Sequence, residues 1–161
     1  MNFFQESCQE APINNIVFGL CDDQNGSKAY TNTDDKTKWV ATVKNDSEIE
    51  LIFTAIDKCV IKDNEETGRG RCDAMLTSKK HLYLIELKDS LPPWQTFAIE
   101  QLESTIKFLK EHHDISSFIH KKAFASNKKR DRFQVIDNEF NLKFFRKYGF
   151  RIDVQAEIVV I

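Results

Sequence analysis

No stretch of this 161-residue chain approaches the roughly 18 consecutive apolar residues of a helical membrane span. The first residues, MNFFQESCQEAP, lack a basic region followed by an apolar segment, so no secretory signal is expected. The four cysteines, Cys8, Cys21, Cys59 and Cys72, show no CxxC spacing, and no histidine stands close enough to complete a zinc site. Reduced structural thiols and a cytoplasmic setting are the expectation. Internal repeats and low-complexity tracts are absent too, and the length points to one globular domain over residues 1–161.

What is present suits a soluble globular fold: 41% hydrophobic and 30% charged residues. The net charge of -2 conceals an asymmetry. Up to Thr105 there are 11 Lys and Arg against 18 Asp and Glu; from Ile106 to Arg151 there are 12 against 5. Such a division suits a cation site in the acidic part and phosphate contacts in the basic part, though solvated faces of opposite sign give the same count.

Chemistry concentrates in GRCDAMLTSKKHLYLIELKD, Gly70 to Asp89. Period-two alternation puts Leu82, Leu84, Glu86 and Lys88 on one strand face and Tyr83, Ile85 and Leu87 on the other. A turn at Lys79-Lys80, or a four-residue loop from Ser78 to His81, pairs Met75 with Leu84 and Asp73 with Glu86. Opposed residues then share a face, with Cβ atoms about 4.5–5.5 Å apart. Carboxylates that close repel, and burying them costs several kcal/mol unless compensated. A divalent cation is the simplest compensation, and Mg²⁺ (or Mn²⁺ in its place) takes carboxylate and phosphate oxygens. Lys88 adds a fixed positive charge beside it.

The rest of the chain reads around that hairpin. Asn15–Cys21 and Trp39–Lys44 read as strands within an N-terminal extension (residues 1–45), with a turn-rich loop between them. Ser47 and Glu50 have capping-box spacing, so a helix is expected to about Lys58 with Ile49, Ile52, Phe53 and Ile56 as its stripe. Glu48 flanks that stripe as a third carboxylate for the metal, and Asp57 is a weaker choice. CVIK, Cys59 to Lys62, reads as a first core strand. Arg69 and Arg71 flank the site strand and could touch phosphate. Pro92-Pro93 opens a helix from Trp94 to His112, and Gln101 on it points partly inward. Ile119–Asn127 reads as a fourth core strand, left through the basic cluster Lys128, Lys129 and Arg130. Asn138–Tyr148 is expected as a helix closed by Gly149, and Phe150–Ile161 as one closing strand.

Asp73 on one strand, followed by Glu86-Leu87-Lys88 on the next, resembles the motif of the PD-(D/E)XK nuclease superfamily, with Cys72 where that motif has proline. The resemblance covers about residues 46–127. It implies a restriction-endonuclease-like αβββαβ core: an α/β fold with a central mixed sheet flanked by helices. It also implies that Glu48 and Gln101 are the accessory Glu and Gln seen in members. The implied activity is Mg²⁺-dependent hydrolysis of phosphodiester bonds in nucleic acid, DNA first, leaving a 5′ phosphate. Restriction, repair and defence against mobile DNA are the implied settings. The alternative is a nuclease-like binding module without turnover, working as a homodimer or with a partner protein.

Overall fold

Seven of the eight residues of HLYLIELK are buried, so this strand must be covered on both faces. The computed structural model, which describes residues 1–129 and 136–161, shows what covers it. The strands are β1 (Val17–Cys21), β2 (Tyr30–Asn32), β3 (Ala41–Lys44), β4 (Ile52–Ala55), β5 (Ala74–Thr77), β6 (His81–Lys88), β7 (His120–Asn127), β8 (Arg151–Val154) and β9 (Glu157–Val159); the helices are α1 (Gln95–His112) and α2 (Asn138–Tyr148). They form two mixed sheets, β4-β5-β6-β7-β8 and β2-β1-β3-β9.

The larger sheet lies between unlike layers. Met75, Leu82, Leu84 and Ala123 pack under α1 and α2, against Leu102, Ile106 and Phe144. Phe53, Leu76, Tyr83, Ile85 and Phe124 pack against Phe18, Leu20, Val43 and Ile158 of the smaller sheet. The expected α/β class therefore holds. The helices lie against one face of the mixed sheet, and β1, β2, β3 and β9 build a second sheet on the other.

Several elements fall where the sequence puts them. The hairpin closes through Ser78 N–H to His81 C=O at 3.0 Å, and Met75 pairs with Leu84. Helix α1 buries Ala98, Leu102, Thr105, Ile106 and Leu109, and α2 ends at Gly149 with φ 76°.

Others differ. Residues 46–58 are not a helix. Asn45 closes a turn on Ile49, donating to its carbonyl at 2.9 Å and accepting from its N–H at 3.1 Å, with Glu48 at φ 51°. The chain then enters β4, which pairs along β5, while the N-terminal arm takes its free side through Glu10 N–H to Phe53 C=O at 2.9 Å. The i, i+3, i+4 stripe is thus overridden by sheet pairing on both edges. CVIK is a turn rather than a strand, with Lys58 at φ 69° and a single bridge between Asp57 and Ile61. The closing strand is two: after β8 the chain crosses between sheets, with Gln155 N–H on Ala125 C=O and Ala156 C=O accepting from Thr42, and continues as β9.

The expectation of four reduced thiols is also corrected. The arm along β4 brings Cys8 to Cys59, 51 residues away, and they form a disulfide; Cys21 and Cys72 are free and buried. Among the described residues no helix is long and apolar enough to cross a membrane.

Candidate functional site

The β5–β6 register places the acids. Ala74 pairs with Ile85, and Asp73 N–H donates to Ile85 C=O at 3.2 Å, so Asp73 arrives beside Glu86. Helix α1 anchors the approach to that position. Thr105 Oγ1 accepts from Cys72 N–H at 2.7 Å and donates to Gln101 C=O at 2.7 Å. On the far side, buried Asn127 holds the loop after β6, donating to Ser90 C=O at 2.8 Å.

Asp73 and Glu86 are 9% and 4% exposed. Asp73 Oδ2 accepts from Leu87 N–H at 2.7 Å. Glu86 Oε2 lies 3.1 Å from Lys88 Nζ, while Glu86 Oε1 is buried without a partner. Burial first, and then the charge of Glu86, hold the Asp73 carboxyl well above the usual carboxylate range. Burial raises Glu86 as well, against the lowering pull first of a hydrogen bond shared with Asp73 and then of Lys88. Asp22 and Asp57 are near enough to add negative potential to Asp73 and Glu86 respectively.

A buried pair of acids that resists ionisation, with one carboxylate oxygen unsatisfied, fits a hard divalent cation. Among the described residues no group of three or more His, Cys, Asp or Glu gathers, so two carboxylates would be offered to such an ion here. That number is enough for Mg²⁺, which keeps several waters. The same two acids could instead share a proton.

Glu48 does not join them. It is exposed, in the turn preceding β4, whereas Asp73 lies beyond the opposite end of that strand, where its C=O accepts from Ile56 N–H. The error follows from the helix that does not form. Gln101 is brought close to the strand that leads to Asp73. Its Oε1 occupies the space of a Cβ on Gly70, 2.2 Å from where that atom would sit, and has no hydrogen-bond partner. Asp73, Glu86 and Lys88 are brought together as the register requires.

The arginines are engaged elsewhere. Arg69 stacks its guanidinium 3.5 Å from the Phe108 ring centroid and pairs with Glu111 at 3.3 Å. Arg71 donates to Lys62 C=O at 2.8 Å and lies 3.7 Å from Asp57. Lys128 and Lys129 do border the site: Lys128 N–H donates to Lys88 C=O at 2.8 Å, and Lys129 Nζ lies 3.8 Å from Asp89. Arg130 lies outside the described residues.

Three supporting groups were not singled out for this role by the sequence. Thr105 carried a signal, a hydroxyl on the apolar stripe of α1. Asn127, a buried amide ending an apolar strand, carried another. The Leu87 N–H carried none, since any residue supplies one. Comparison with protein-family models finds no match, and comparison with curated proteins and with solved structures finds no similar chain.

Proposed function

We propose that the chain is a metal-dependent phosphodiesterase acting on nucleic acid, with the Asp73, Glu86-x-Lys88 arrangement that resembles the PD-(D/E)XK nucleases. One observation carries the reading: two buried acids side by side, one oxygen of Glu86 unsatisfied, and an ammonium on the same face 3.1 Å from its other oxygen. Asp73, with its orientation fixed by the Leu87 N–H, and Glu86 would hold Mg²⁺. When bound, the ion supplies Lewis-acid polarisation of a phosphate oxygen and a more acidic water.

The chain's own residues do the rest. Lys88 is one-quarter exposed at its side chain, so Nζ can leave Glu86 to orient an attacking water, and it offers positive charge to the crowded phosphate. Lys128 and Lys129, beside it where β6 and β7 end, suit the flanking phosphates. The cytoplasmic setting loses one support, because Cys8 and Cys59 are joined and such bonds persist in oxidising compartments.

The test is cleavage of plasmid, linear and single-stranded DNA, and of RNA, with Mg²⁺, Mn²⁺ or chelator. Metal-dependent products, reduced roughly a thousandfold in Lys88→Ala, are expected. Equal cleavage by wild type and Lys88→Ala ends the assignment.

A further inference from the structure

The outer face of the smaller sheet carries a groove that the carboxylate site does not use. Along β1 and β3, Phe18, Leu20, Ala41 and Val43 turn into the core. Alternation therefore turns Gly19, Thr42 and Lys44 outward. The Trp39 indole fills the space that Gly19 leaves: a Cβ there would lie 2.0 Å from Trp39 Cγ and 2.2 Å from both Cδ1 and Cδ2. Near-equal distances to three ring atoms mean that the ring lies flat over the glycine. Nε1 donates to Asn32 Oδ1 at 3.0 Å, which fixes its rotation.

The partly buried indole lines a groove of about 490 Å³ together with Lys36, Lys44 and Lys128. Lys36 Nζ stands 5.9 Å from the ring centroid. Glu157 is the acid on this lining. Among the described residues no ion pair engages Lys36, Lys44 or Lys128.

A rigid aromatic face amid three ammonium groups matches an unpaired nucleotide, with the base on the ring and the phosphates on the lysines. A duplex keeps its base faces stacked inside. Position gives a second reason. Lys128 bonds Lys88 through its backbone and lines the groove with its side chain. The carboxylates lie on the helix-covered face of the larger sheet, and the groove lies on the outer face of the smaller one. A strand joining them must pass over the C-terminal ends of β6 and β7, at Lys88 and Lys128. A flexible single strand can do so, whereas a duplex is stiff over about 150 base pairs.

We propose that this groove binds single-stranded nucleic acid, with one base stacked on Trp39 and phosphates on Lys36, Lys44 and Lys128. The strand then runs over the ends of β6 and β7 to Asp73, Glu86 and Lys88. The groove's role as a guide rests on the nuclease reading; its affinity for a single strand does not.

The experiment measures anisotropy of labelled dT12, rU12 and a 12-base-pair duplex, in chelator so that no cleavage intervenes. Single strands should bind at least tenfold tighter than the duplex and quench the emission of Trp39; Trp94, the other indole, is buried. The dT12 and rU12 arms tell DNA from RNA. Trp39→Ala should weaken single-strand binding roughly ten- to a hundredfold. Lys44→Ala and Lys128→Ala, both surface changes, should each reduce the salt slope by about 0.7. Duplex preference, absent quenching, or wild-type affinity in Trp39→Ala and Lys44→Ala overturns the groove. Strand binding lost in those variants, with no cleavage by wild type, keeps the groove and removes the nuclease reading. Cleavage by wild type with unchanged affinity in the variants does the reverse.

Discussion

The Leu87 N–H donates to Asp73 Oδ2 at 2.7 Å, so the residue between the acid and the amine of β6 orients the carboxylate that stands just before β5. Asp73→Asn keeps an acceptor for that bond and removes the charge. Both acids have raised folded values, so the folded state holds their protons more tightly than the unfolded chain. The stability this confers is complete below the ordinary carboxylate range, about pH 4, and is lost as pH rises through the raised values. Metal-free wild type should therefore lose stability toward neutral pH. Asp73→Asn should be more stable at pH 7, by about 1–3 kcal/mol, and so melt higher, while losing both the Mn²⁺-induced rise in Tm and activity. Melting curves at pH 4 and 7, with and without Mn²⁺, check this; a lower neutral Tm in Asp73→Asn counts against it.

Gly70 offers a way to move Gln101 without mutating it. A methyl group there meets Oε1, the far end of a flexible side chain, so the amide should swing aside with a stability loss of about 1 kcal/mol or less. If Gln101 takes part in the reaction, Gly70→Ala should lower kcat with little change in Tm. Unchanged turnover in both Gly70→Ala and Gln101→Ala assigns Gln101 to packing.

Cys8 and Cys59 close a span of 51 residues. Chain-entropy arguments give such a crosslink about 4 kcal/mol. Reduction, or the Cys8→Ser/Cys59→Ser pair, should lower Tm on the order of 10 °C. Calorimetry with and without reductant measures this, and an unchanged Tm would show that the arm docks without its covalent tie.

Arg69 is held by Phe108 and Glu111, on the α1 side of the loop. Arg69→Ala should cost about 1 kcal/mol through the lost stack and leave nucleic-acid affinity within twofold. A large affinity loss at unchanged Tm would return Arg69 to the binding surface.

The legible parts of the sequence were those where local rules and tertiary context agree. Ser78 and His81 fix a four-residue hairpin loop, and from it the register of Met75 on Leu84, and so of Asp73 beside Glu86, follows by counting. Helix α1 was legible because eighteen residues with one apolar stripe have few other ways to bury it. Residues 46–58 were misread because Ile49, Ile52, Phe53 and Ile56 satisfy helical spacing equally well as a short strand with a turn before it. Glu48 was misplaced with them. The split of Phe150–Ile161 was invisible for a related reason: alternation continues through Ala156 whether the chain stays in one sheet or crosses to another.

By itself the sequence determined which strands form the hairpin and which face carries two acids and a lysine, since period-two geometry and loop length are local. Only the tertiary structure decided that the acids are deeply buried, that a second sheet covers the far face, that Cys8 meets Cys59, and that Trp39 lies on Gly19. Each of those depends on segments far apart in the chain meeting across a packed layer, and no spacing along a single strand encodes what will pack against it.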